Sequence, residues 1–99
     1  MIKTFFNAKV KWIDHNAGGR INKPCLGARY YPIIRISDNE HWSIDCICPD
    51  FEITDLMVFT MFSDLAPTER ILENTYYGLY EGNNRVAEVF IISRYEKEV

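Results

Sequence analysis

Cys46-Ile47-Cys48 places two thiols at positions i and i+2 of a 99-residue chain. On an extended strand both fall on the same side, roughly 6.5–7 Å apart. That spacing suits a metal or redox pair, and Cys25, His15 and His41 are the residues that could complete a ligand set. Zinc sites pair a Cys-x2–4-Cys element with a second such element, and the sequence holds none. Buried cysteines acting as small hydrophobes are therefore the expectation, with no metal site. His41 lies beside Trp42 and near Asp38 and Glu40, which invites a Cys-His nucleophile pair. No third group or oxyanion donor accompanies it, so His41 and His15 read as solvent-facing loop residues. Asp50, Glu52 and Asp55 have no apolar pocket evident around them and read as solvated loop charges. Neither catalysis nor a cofactor is expected.

Binding chemistry has better candidates. In Gly18-Gly19-Arg20, a turn with free backbone donors could present a guanidinium to a phosphate or carboxylate. The plainer alternative is a turn that needs glycine for its backbone angles. Tyr80-Glu81-Gly82-Asn83-Asn84-Arg85 poses the same choice at a hairpin tip. If both loops lie at one end of the fold, Arg20 and Arg85 form one surface. Six tyrosines add contact area, among them Tyr30-Tyr31 and Tyr76-Tyr77. Adjacent strand residues point to opposite faces, so one of each pair faces outward. The candidate binding residues are thus Gly18, Gly19, Arg20, Tyr31, Tyr80, Glu81, Gly82 and Arg85.

Strands must position these groups. Phe6, Ala8, Val10 and Trp12 alternate with polar residues, the period of a half-buried strand. Asp14 to Gly19 stacks turn formers. Tyr30–Ser37 reads as a second strand, with Pro32 near its start, where a missing ladder donor is tolerable. His41–Cys48 reads as a third, with Trp42, Ile44, Cys46 and Cys48 on one face. Leu56–Ser63 follows, and Leu72–Tyr80 with Arg85–Ser93 closes as a hairpin around Glu81-Gly82-Asn83-Asn84, residues that accept left-handed conformations. Thr68–Asn74 is open between a short helix capped by Thr68 and extended chain. Short strands with turn signals between them predict a sandwich or closed barrel, and closure removes exposed edges.

The length and a hydrophobic content of 47% fit one globular domain spanning residues 1–99. Fourteen acidic against 11 basic residues give a net charge of −3, which argues against autonomous nucleic-acid binding. No apolar run approaches the ~20 residues of a membrane span. The start, Met1-Ile2-Lys3-Thr4, is too soon polar for a signal peptide. With three cysteines, a reduced cytoplasmic protein is expected.

Gly18-Gly19-Arg20, Arg29-Tyr30-Tyr31-Pro32 and Tyr80 to Ala87 occur in an order that resembles the C-terminal (third) β-barrel domain of translation elongation factor Tu, over Phe6 to Ile92. Gly18, Gly19, Arg20, Tyr30, Pro32, Glu81, Gly82 and Val86 carry the match. The resemblance implies an all-β, six-stranded antiparallel barrel of Greek-key type. It also implies a binding module that contacts tRNA, the ribosome or a translation factor. Tyr31 replaces the family's arginine, and Tyr80-Glu81-Gly82-Asn83-Asn84 stands where the family has Arg-Glu-Gly-Gly-Arg, with Arg85 one place later, so the implied RNA grip is weakened. No GxxxxGK[ST] occurs, so neither nucleotide binding nor GTP hydrolysis is expected. The acidic balance favours a protein partner over single-stranded nucleic acid, either within translation or as an adaptor outside it.

Overall fold

The computed structural model describes residues 1–99. Its strands are β1 (Ile2–Trp12), β2 (Arg29–Tyr30), β3 (Ile33–Ser37), β4 (Glu40–Ile47), β5 (Leu56–Met61), β6 (Tyr76–Glu81) and β7 (Asn84–Glu98). All pairings are antiparallel, in the order β4-β3-β6-β7-β1-β5, and β5 returns to β4 to close a six-stranded barrel. The order of β1, β5, β4 and β3 is a Greek key: three hairpin-linked strands with a fourth laid beside their far edge.

The extra strand β2 continues β3. Tyr30 faces Cys46 and Ile33 faces Ser43 in one uninterrupted register along β4. Between them Pro32 has no N–H to donate, yet its carbonyl accepts from Ile44 at 2.9 Å. The expected second strand, Tyr30–Ser37, is therefore present but broken at proline.

The period-two patterns place the core as expected. Phe6, Ala8 and Val10 of β1 meet Ile34, Ile44, Cys46, Met57, Phe59, Leu79, Val89 and Ile91 inside. Phe6 and Phe59 stack with ring centroids 5.1 Å apart. Two β-bulges bend β7. Leu79 faces Ala87 while Tyr80 faces Arg85, so Val86 is the extra residue, and Ile92 is extra opposite Asn7 and Ala8. The first bulge buries both Val86 and Ala87, which strict alternation forbids.

Each end of the barrel is plugged. Phe51 meets Trp12 edge-on at 5.1 Å, at the end where β1, β4 and β6 finish. Ile71 is fully buried at the other end. There the Tyr77 hydroxyl accepts from the Leu72 N–H at 2.9 Å and donates to the Arg70 carbonyl at 3.2 Å. Residues 68–74 are not a helix: Thr68–Arg70 makes one 3-10 turn, and Thr68 provides no cap. Tyr77 instead holds the segment's backbone, bonding the Arg70 carbonyl and the Leu72 N–H in place of helical partners. No helix is long and apolar enough to cross a membrane.

Candidate functional site

The two loops singled out in the sequence meet at one end of the barrel. Asp14 starts a 3-10 turn at His15–Ala17 by accepting from the Asn16 N–H at 2.9 Å. Gly18 ends that turn at φ 94°, next to the Asn84 side chain of the β6–β7 hairpin. A Cβ on Gly19 would overlap the Ile13 carbonyl oxygen. Glycine is thus required at both positions, and the chain emerges with Arg20 aimed at the hairpin. Gly82, at φ 60°, occupies the first of the two turn positions there.

Arg20 Nη1 donates to Glu81 Oε2, its Nε donates to the Asn22 carbonyl at 2.8 Å, and the Tyr30 hydroxyl donates to the same Glu81 oxygen at 2.5 Å. The guanidinium also lies 5.4 Å from the Tyr30 ring centre. Partial burial alone would lower the Arg20 pKa, but the Glu81 contact outweighs it and the net shift is upward. Burial, reinforced by the bond to Glu81, raises the Tyr30 phenol. The three signatures that occur together in the sequence are therefore one physical unit, a clasp holding the Gly18-Gly19 loop to the hairpin. Arg20 is spent on that clasp.

Arg85 does not join Arg20. It leaves the hairpin toward the outer wall and pairs with Glu88 at 3.0 Å, its Nε beside Gly78 and the Tyr80 ring. Tyr31 lies elsewhere again, half-exposed, edge-on to Phe62 at 5.3 Å and 6.0 Å from the Arg29 guanidinium. Arg29 in turn pairs with Asp45 at 2.7 Å. As expected of adjacent strand residues, Tyr30 turns in and Tyr31 out, and Tyr77 is buried while Tyr76 is exposed.

Cys46 and Cys48 are buried as the strand pattern predicts, and Cys25 is exposed. Burial pushes the Cys46 thiol up to about 12 and raises Cys48 as well, so neither presents a thiolate nucleophile near neutral pH. The His41 ring contacts only the Asp38 carbonyl, at 3.2 Å, and His15 is exposed beside Asp14.

Two walls of the barrel escaped the sequence reading. On one, Ile47, Pro49, Leu56, Val58 and Ile92 line a groove of about 490 Å³ around Asn7 and Ser93. A second groove, of about 400 Å³, shares Ile47 and Val58 and extends the surface to Phe5, Arg29 and Asp45. Phe5 stacks on Tyr95 at 5.6 Å, and Arg29 leads on to Tyr31 and Phe62. The other wall, over β3, β6, β7 and β1, carries Arg35, Tyr80, Arg85, Tyr76, Phe90, Lys9 and Lys11. The signal for both was the outward half of each alternation, which pattern reading assigns to solvent. No protein-family model matches the chain, and no curated protein matches it.

Proposed function

We propose that this chain is a non-catalytic binding module of the kind exemplified by the C-terminal barrel of elongation factor Tu, whose primary partner is another protein. The observation that carries this reading is the apolar wall. Ile47 is 63% exposed, with Leu56, Val58, Ile92 and Tyr95 also open to solvent and the Tyr31–Phe62 pair beyond them. Large contiguous apolar surface on a small domain marks a site of association. Its aromatic content and the Arg29–Asp45 pair at its margin match the composition of protein interfaces. The proposed likeness to elongation factor Tu is supported by the six-stranded antiparallel barrel and by the clasp that joins the residues carrying the resemblance. It makes a translation factor or a tRNA-bearing complex the first partner to seek. The three free thiols suit a reducing, cytoplasmic setting.

The test is affinity capture from cells, with and without RNase, comparing the wild type with Ile47→Asp and Val58→Asp. Both sites face solvent, so equal melting temperatures will confirm intact folding. The reading requires an identified protein partner that survives RNase and is lost with either substitution. Recovery of no RNase-resistant protein, or of one that ignores both substitutions, would refute it.

A further inference from the structure

We propose that the outer wall formed by β3, β6, β7 and β1 binds single-stranded RNA, independently of the apolar wall. Cross-strand register sets the arrangement. One row runs Arg35, Gly78, Glu88, Lys11, and a second runs Tyr76, Phe90, Lys9. A third places Ile33, Tyr80 and Arg85 side by side. The chain as a whole has three more acids than bases, so four cations beside only Glu88 and Asp55 are a local reversal of charge.

Two of those cations have no acidic partner. Lys11 forms no ion pair, and neither does Arg35. The Arg35 guanidinium lies 4.1 Å from the Tyr80 ring centre, and its buried Nε has no hydrogen-bond partner. Stacking fixes its plane; the buried Nε is out of reach of a ligand, and the terminal nitrogens, which form no hydrogen bond or ion pair within the chain, are the donors left for an anion. Gly78 makes this possible: a Cβ there would come within 2.9 Å of the Tyr80 ring and 3.1 Å of Arg85 Nε. With strands about 4.8 Å apart, Arg35 and Lys11 lie roughly 14 Å from each other, a span of two or so backbone phosphates.

On the Lys11 side of this wall lies a groove of about 530 Å³ lined by Lys9, Lys11, Asp55, Tyr76, Glu88 and Phe90, with Arg35 outside it. Tyr76 is 63% exposed and packs against Phe90 at 4.8 Å, leaving ring surface open to solvent. A ring presented this way stacks on an unpaired base but is of no use to a duplex, whose bases are covered. Glu88, paired with Arg85 at 3.0 Å, and Asp55, paired with Lys9 at 3.6 Å, line the groove, and their remaining lone pairs can accept from a ribose 2′-hydroxyl, the contact that favours RNA over DNA.

Fluorescence anisotropy with a labelled uridine 12-mer between 50 and 200 mM salt tests the assignment. Saturable binding is expected, at least ten-fold weaker for Tyr76→Ala through loss of base stacking. The double variant Arg35→Gln, Lys11→Gln should flatten the slope of log K against log salt by about 1.4. The matching thymidine DNA 12-mer should bind more weakly, and Ile47→Asp should bind RNA like the wild type. Thermal melts of each variant separate lost binding from lost folding. No saturable RNA binding, equal DNA binding, insensitivity to Tyr76 and the two cations, or preference for an acidic peptide would each overturn the proposal.

Discussion

Gly19 is the residue on which the clasp depends most. Its neighbour Gly18 needs glycine for a positive φ, but Gly19 needs it for space, because the Ile13 carbonyl occupies the volume a methyl would take. Backbone cannot move aside as a flexible side chain can. Gly19→Ala is expected to lower stability by about 3 kcal/mol, the upper end of overpacking costs. Gly82→Ala, at a positive φ in open space, should cost only about 1 kcal/mol. Urea denaturation of the two variants checks the order, and equal losses would contradict the clasp. The types of residue in this unit were legible in the sequence; their union was not. Glu81 lies 61 residues from Arg20 and 51 from Tyr30, and nothing local says they touch.

Among the elements, β1 and β7 depart furthest from the sequence pattern. The alternation marks Phe6–Trp12 and Arg85–Ser93, yet the strands run from Ile2 and to Glu98. The added stretch Arg94-Tyr95-Glu96-Lys97-Glu98 has no buried face, so it carries no hydrophobic period to detect. It is held by backbone pairing, Ile2 against Glu98 through Thr4 against Glu96. Its outer edge is partly satisfied by Glu73, which accepts from the Arg94 N–H at 3.1 Å. An edge so short and charged resists unwanted strand pairing. Hydrogen exchange should divide β1 accordingly. Amides of Phe6 to Val10, flanked on both sides, should be protected to near the global stability, and those of Ile2 to Thr4 should exchange orders of magnitude faster. Uniform protection along β1 would show that the ribbon belongs to the barrel's cooperative unit.

For the whole molecule, the interior holds its ionisable groups neutral. An unfolded thiol titrates near pH 8.5, roughly, while burial keeps Cys46 protonated up to about 12. Between those values the native state retains a proton that the unfolded chain has lost, so stability is fully present below about pH 8.5 and falls as pH rises. One such group removes up to about 2 kcal/mol between pH 9 and 10.5. Tyr30, whose phenol is raised by burial, steepens the decline further up. Urea midpoints across that range should drop, and Cys46→Ala should show a shallower decline from its own lower baseline. An unchanged slope in that variant would locate the alkaline sensitivity elsewhere. The short strand-like runs with turns between them made an all-β sandwich or barrel readable; closure of β5 onto β4 was not, since no local pattern marks that pairing. The division of the barrel's surface into one apolar wall and one basic, aromatic wall was not readable either, because it depends on which strands become neighbours.

The ribbon brings the two ends of the chain together: the Met1 ammonium donates to Glu98 Oε1 at 2.6 Å, and the Val99 N–H donates to the Met1 carbonyl at 2.8 Å. Val99 and Lys3 line the same groove as Ile47 and Val58. Anything joined covalently at either end is therefore tethered beside the apolar wall, where a short flexible linker holds it at an effective concentration in the millimolar range. An addition at either end lies beside that wall and leaves the basic, aromatic one clear.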